Sequence, residues 1–340
     1  MGTTKKSKNQ KIIKKQVNKA IKRIPLGIVI CILIVGCIVG YLYYKKINDN
    51  KDSTNENNIK GNVAYLVQEG TTVDDVKITF LELFGTNGNP QIGDSVFIEC
   101  GDIDILIDAG EKASGSNTVV PFIEEHVSDN ILELVIVTHA DSDHLGGMVG
   151  LSNSYGALEV PGITYQYIVD FGYEGQTQLY KDYLEVRNKK IKEGTKYFSI
   201  GSIFDSDHLE AITRFYLGVD TYLDLLDYKT YEISEITDDN DRSVSCLLTH
   251  NDKKVLLCGD AEKREEAYLT SLNIGHVDVF KANHHGSPTS NTNAFLDNIT
   301  PNYVIICSSE ENKYNLPKKT IIERFNNCLL YTSPSPRARQ

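Results

Sequence analysis

The chain has no acidic residue in its first 46 positions, where eleven Lys and Arg stand. That absence leaves a formal charge of −22 on residues 47–340, against −11 for the whole chain. A basic head and a strongly acidic body do different jobs. The body shows no obvious basic patch, which argues against nucleic acid as a partner, because binding to phosphates draws on Lys and Arg. The seven cysteines show no CxxC or other zinc-module spacing, which excludes a cysteine-built metal module. Cys31 and Cys37 fall in an apolar run near the N-terminus. Cys100, Cys246, Cys258 and Cys307 fall in strand-like apolar segments, where a buried free thiol is the common case. No period of 20–50 residues recurs, which excludes a solenoid or propeller.

Charge is also absent from Pro25 to Tyr44, twenty residues dominated by Ile, Val, Leu and Gly that end in Tyr41, Tyr43 and Tyr44. This length spans a bilayer as one helix, with an aromatic belt at one end. Nine positive residues precede it in segment 1–24, and Lys45 and Lys46 follow. The positive-inside bias predicts a cytoplasmic N-terminus, a lipid bilayer as partner through 25–44, and the body outside the cell membrane. A cleavable signal peptide is the competing reading. Gly40-Tyr41-Leu42-Tyr43-Tyr44-Lys45 stands where small residues would mark a cleavage site, so an uncleaved anchor is favoured. Residues 45–62 are polar and read as a tether. Cys328 to Arg337 resembles translated sequencing-library adapter. Residues 328–340 are therefore set aside from fold reasoning, and the natural sequence is expected to diverge near Asn327.

Residues 63–327 read as one α/β domain. Lys77–Phe84 alternates apolar and polar. Ser95–Cys100 and Ile103–Ile107 flank Gly101-Asp102 as a hairpin. Val119–Val127 predicts a helix with Pro121 near its start, and Leu134–Val137 a buried strand. Thr177–Lys192 predicts a helix within a tyrosine-rich stretch, 151–235, which reads as an insertion or lid. Val244–Thr249 and Lys254–Cys258 predict a second hairpin across His250-Asn251-Asp252-Lys253. Ala261–Ser271 is helical, Val277–Lys281 and Tyr303–Cys307 are strands, and Pro317–Phe325 is a helix. Two strand-rich halves flanked by helices predict a four-layer αββα sandwich.

The chemistry concentrates at strand ends. His139-Ala140-Asp141-Ser142-Asp143-His144 follows the apolar Leu134–Val137 run and precedes Leu145-Gly146-Gly147. Two imidazoles and two carboxylates at this density are what a hard or borderline divalent metal requires. Leu256-Leu257-Cys258-Gly259-Asp260 puts a carboxylate at another strand end. Val279-Phe280-Lys281-Ala282-Asn283-His284-His285-Gly286-Ser287 puts two imidazoles at a third. Three strand ends can converge on one cleft, as in layered α/β proteins.

On these pieces the body, from about Lys77 to Phe325, resembles the metallo-β-lactamase superfamily, and within it the hydrolase domain of ComEC-type competence proteins. The matching segments are Ile107-Asp108-Ala109-Gly110, Thr138 to Gly147, Asn240-Asp241-Arg242-Ser243, Leu257 to Asp260 and Asn283 to Ser287. The resemblance implies two divalent metal ions, Zn²⁺ by expectation with Mn²⁺ or Fe as alternatives. His139 and Asp141 would bind one and Asp143 and His144 the other. Asp260 would bridge them, and His284 or His285 would complete a shell. Two cations roughly 3.5–4 Å apart can share and deprotonate a water and clamp both oxygens of a displacement at phosphorus. Asp143 and His285 are the expected catalytic residues. The His not on metal would act as general acid or hold substrate. Two departures stand out: Leu316 occupies a place where relatives often carry His, and no third ligand for the first metal is visible.

The remaining polar residues get plainer readings. His250 lies in a turn, and His126 and His276 are structural. His208, in Asp205-Ser206-Asp207-His208, could reach the site from 151–235. Asp108 is either a turn-former before Gly110 or a support behind the ligands. Tyr222-Leu-Asp-Leu-Leu226 reads as packing. The expected function is a membrane-anchored, dinuclear metal-dependent hydrolase in which a metal-bound hydroxide attacks an ester, most plausibly a phosphodiester. The substrate would be a small phosphoester, such as a phosphocholine-type wall or lipid substituent, or, in a competence-related nuclease, DNA. A β-lactam or lactone fits less well, given Asp141 in place of His. The alternative is a non-catalytic tethered binding module with a vestigial metal site. No protein partner is identifiable.

Overall fold

Strand formation follows the apolar runs. Ile131–Val137 (ILELVIV) is buried along nearly its whole length, as expected of a strand with parallel neighbours on both sides. The computed structural model describes residues 62–173, 175–200, 212–226 and 238–328. Among them lie two sheets. One has six strands in the order β2 to β7: Lys77–Phe80, Val96–Cys100, Ile103–Ile107, Ile131–Val137, Thr164–Asp170 and Lys196–Ser199. From β4 onward its pairings are parallel. The other has seven strands in the order β1-β8-β9-β10-β11-β12-β13. These are Asn62–Tyr65, Ile212–Gly218, Thr221–Leu225, Cys246–His250, Lys253–Leu257, Val279–Lys281 and Tyr303–Ile305. Strands β11, β12 and β13 run parallel.

The sheets face each other. The Tyr167 ring of β6 meets Phe215 of β8 with centroids 5.4 Å apart, and Phe198 of β7 stacks on Phe215 at 6.1 Å. Outside the smaller sheet lie α1 (Val120–His126), whose Phe122 edges onto Phe97 of β3 at 5.2 Å, and α3 (Gln178–Lys192). Between them in sequence comes the short α2 (Ser142–Leu145). Outside the larger sheet lie α4 (Lys263–Ser271), α5 (Asn293–Ile299) and α6 (Lys319–Cys328). Their Leu269, Phe295, Ile321 and Phe325 enclose a second core with Leu256 and Phe280. The expected four layers are therefore present among the described residues.

Both hairpins form as expected, the second with a tighter turn because Asn251 adopts a left-handed backbone. The reading of 151–235 as an insertion or lid is corrected. Its described parts supply β6 and β7 to one sheet and β8 and β9 to the other. Thr177 caps α3 by accepting the Tyr180 N–H at 3.1 Å. Asp170, at the end of β6, is buried and accepts from Tyr183, Tyr197 and Arg187 at 2.8–2.9 Å, which pins α3 to the sheet. The expected span 25–44, the basic segment 1–24, His208 and nearly all of the tether and the 328–340 tail lie outside the described residues. Among the described residues no helix is long and apolar enough to cross a membrane.

Near the opposite ends of the strands from Asp170, Asp104 of β4 and Glu133 of β5 are buried side by side, and a Glu133 oxygen accepts the Asp104 amide at 2.9 Å. Burial first, then neighbouring carboxylates, push both pKa values up to about 7. A carboxyl whose folded pKa is raised binds protons more tightly folded than unfolded. The stability it contributes is present at pH 4 and lost as pH rises to 7. Glu133→Gln keeps the acceptor and removes the charge. Thermal denaturation at pH 5 and pH 8 should find the variant melting roughly 2–4 °C higher than wild type at pH 8, with the gain gone at pH 5. Equal shifts at both pH values would contradict this assignment.

Candidate metal centre

Parallel strands deliver their C-terminal ends to one rim. Asp108 follows β4, His139 to His144 follow β5, Asp260 follows β11, and His284 and His285 follow β12. The two sheets are laced together there by the Val244 amide donating to the Thr138 carbonyl at 2.9 Å. Glycine is required at two close approaches. Gly259 has φ +51°, and a Cβ there would lie 2.8 Å from the Thr138 hydroxyl. Gly93 has φ +144°, and its Cβ would meet the Asp143 carbonyl at 2.5 Å. The second approach carries Asp94 into the site, where its amide donates to the Asp143 carbonyl at 3.1 Å.

Four buried side chains, Asp94, His144, Asp260 and His285, bring one ligand atom each within 4.8 Å of one another. Ring orientation decides which nitrogens face inward. His144 Nδ1 lies 2.8 Å from an Asp108 oxygen, and His285 Nδ1 lies 2.8 Å from the Cys307 carbonyl. Each acceptor takes a hydrogen bond from Nδ1–H, so each Nε2 is aimed into the site, where it can offer a lone pair to a cation. The two Nε2 atoms are 3.4 Å apart. Both face Asp260 at 3.2 Å, and His285 Nε2 also faces Asp143 at 3.3 Å. Two lone pairs and three carboxylates at such distances need a cation among them.

Metal-free, protons and Lys281 fill that need. Burial opposes an imidazolium at His144, but Asp260, Asp94 and Asp108 outweigh it and hold its pKa well above the ordinary value. His285 is pushed up to about 10, again against burial, chiefly by Asp260 and Asp143. Burial alone would raise Asp143 and Asp260. Their imidazole neighbours instead hold both below the usual carboxylate range. His139 goes the other way, down to about 3, through burial and the adjacent His144. Its Nε2 is buried without a hydrogen-bond partner, as is Asp94 Oδ1. These orphaned atoms, with the converging Nε2 pair, fit a divalent cation bound by nitrogen and oxygen.

The other expected residues sit around this core. His139 Nδ1 lies 3.0 Å from the Thr138 hydroxyl, and its Nε2 lies 3.9 Å from Asp141, which is half exposed. His139 and Asp141 thus flank the four-residue cluster without joining it. His284 stays outside as well. Its Nδ1 is 3.1 Å from Glu262 and its Nε2 is 3.9 Å from Asp260. Both His284 and His285 adopt left-handed backbone, φ 48° and 52°, an unfavourable conformation that surrounding bonds must enforce. Glu266 and Asn291 do so: Glu266 accepts from Asn283 and Thr292, and Asn291 bonds Asn283 at 2.9–3.0 Å.

Asp108 resolves to the supporting role. One oxygen accepts the Thr138 amide at 2.8 Å and the other holds His144. Asn240-Asp-Arg-Ser243 also finds its work. Asp241 accepts the Glu262 and Glu265 amides at the start of α4, and Ser243 accepts the Asp260 amide at 3.1 Å. Leu316 is buried on a loop held by Asn312 and offers no ligand atom. His126 stacks on Phe122, His250 bonds Thr221 from the end of β10, and His276 donates to the Thr300 carbonyl.

Asp94 and Lys281 are the site residues that sequence reading missed. Asp94 lies just before β3, which runs antiparallel to β4, so it shares a rim with the strand ends that carry Asp108 and His139. A Gly-Asp pair opening the first strand of the hairpin was the available signal. If Asp108 fixes the His144 ring, Asp108→Asn should weaken Zn²⁺ binding about 10–100-fold with secondary structure unchanged. A chelator-competition titration measures this, and unchanged affinity would contradict the role.

No protein-family model matches the chain. Recombination protein 2 of Haemophilus influenzae is 24% identical over 228 residues, covering 65% of this chain and 24% of that protein. Competence protein ComA of Neisseria gonorrhoeae is 25% identical over 236 residues, covering 68% and 28%. The chain thus spans about a quarter of the length of these relatives. Among solved structures, the metallo-β-lactamase fold protein YhfI from Bacillus subtilis gives a TM-score of 0.45 at 13% identity, covering 76% of this chain and 95% of that one. In its motifs and two-sheet topology the body resembles the metallo-β-lactamase fold, and in sequence it is similar to part of the recombination and competence proteins named above.

Proposed function

We propose that this chain is a membrane-anchored, metal-dependent hydrolase of phosphoesters, with phosphodiesters as the favoured class. The observation that carries the reading is the pair of Nε2 atoms 3.4 Å apart, each ring held from behind, among buried carboxylates. Asp94, His144, Asp260 and His285 would hold one divalent cation. His139, Asp141 and Asp143 are the candidates for a second, with Asp260 between the two. Bound there, divalent cations supply Lewis acidity and lower the pKa of water, with Zn²⁺ expected and Mn²⁺ or Fe compatible with the mixed nitrogen and oxygen donors.

The protein's own groups do the rest. Asp143 fixes His285 and adds charge at the rim. His284, about a quarter exposed and backed by Glu262, is placed to hydrogen-bond substrate or protonate a leaving oxygen. This moves the proton-handling role from His285, which lies within the ligand cluster, to its neighbour. Residues 25–44 would anchor the domain outside the cell membrane. The names of two relatives refer to recombination and competence, which favours a nucleic-acid substrate as a second reading. The charge of −22 on residues 47–340 opposes it.

The full-length chain loaded with Zn²⁺ or Mn²⁺ should hydrolyse a chromogenic phosphodiester. Asp143→Ala should lower that turnover at least 100-fold while circular dichroism stays unchanged. Undiminished turnover in the folded variant would overturn the proposal.

A further inference from the structure

Lys281 is the one residue of the site with a fixed positive charge among the described ligand positions, and the ligand scheme leaves it without a role. Strand alternation explains its placement. In β12, Phe280 points into the core beneath α4, α5 and α6, while Val279 packs against the core shared by the sheets. Lys281 follows on the inner side at the strand's last position and is only 1% exposed. Its ammonium has three donors, and all three are used. It pairs with Asp94 Oδ2, donates to the Gly259 carbonyl at 2.8 Å, and reaches Asp260 Oδ1 at 3.3 Å.

Lys281 therefore takes one oxygen from each of two candidate ligands. Asp94 Oδ1 is left buried without a hydrogen-bond partner, 3.5 Å from His285 Nδ1, while both Asp260 oxygens stay against the cluster, Oδ1 3.2 Å from His144 Nε2 and Oδ2 3.2 Å from His285 Nε2. A buried carboxylate pair with no cation is strongly destabilising. A cation fixed beside the pair removes that cost, and it also repels a second cation placed a few ångströms away.

We propose that Lys281 is a built-in counter-ion of the metal centre: it turns Asp94 and Asp260 toward the site, lets the domain fold without metal, and weakens divalent-metal affinity so that the ion stays exchangeable. The inference rests on the metal-centre reading above. The test is a Zn²⁺ titration of the full-length chain and its K281M variant by competition with a chelating dye, with melting followed in parallel. K281M should bind Zn²⁺ at least tenfold more tightly, because the repulsion between the ammonium and a divalent ion is removed. Metal-free K281M should melt lower than wild type, and Zn²⁺ should restore it. Equal or weaker affinity in a folded K281M overturns the counter-ion role. If K281M does not fold alone, refolding with Zn²⁺ present should rescue it. A variant unfolded both with and without Zn²⁺ overturns the role too. Wild-type chain that takes up neither Zn²⁺ nor Mn²⁺ would instead overturn the metal-centre reading beneath it.

Discussion

The site depends on two hydrogen bonds that face away from it. Asp108 holds His144 Nδ1, and the Cys307 carbonyl holds His285 Nδ1. Without them each imidazole could rotate, and the two Nε2 atoms would not converge. Each acceptor comes from the end of a different sheet. Asp108 follows β4 in the smaller sheet, and Cys307 follows β13 in the larger one. The ligand geometry is thus a property of how the two sheets meet, and the αββα stack is the device that fixes it.

Electrostatics follow from the same arrangement. Three buried carboxylates, Asp94, Asp108 and Asp260, and the partly exposed Asp143 surround two imidazoles and one lysine. In the metal-free state the balance is met by protons on the imidazoles and by Lys281, which is why His144 and His285 shift up while Asp143 and Asp260 shift down. A divalent cation bound there would replace those protons. Uptake should therefore release protons and strengthen as pH rises. The left-handed backbone at His284 and His285 belongs to the same economy: Glu266 and Asn291 hold an awkward turn so that one ring enters the cluster and the other stays at its mouth.

Much of this was legible in the sequence, for physical reasons. Continuous apolar runs such as Leu134–Val137 mark strands buried on both faces, and the residues just past them must lie at a rim. Dense His and Asp there read as ligands. Residues 151–235 misled because β6 to β9 do not look like core. Their outer faces carry Tyr, Lys and Arg, whose rings and stems cover the sheet, as Arg214 does over Tyr222 at 3.9 Å. Composition then suggests a polar insertion where the backbone builds two sheet edges. Asp94 was hidden because one carboxylate at the start of a strand has no local partner. Its partners arrive through antiparallel pairing with β4. Lys281 was hidden because a strand-final lysine usually reaches solvent, and only the second sheet closing over it turns it into a buried ion.

The most direct test is the metal content of the full-length chain purified without chelator. The account predicts two divalent ions per chain, removed by a chelator and restored by Zn²⁺ or Mn²⁺. Folded protein that holds no metal even after both are offered would contradict it.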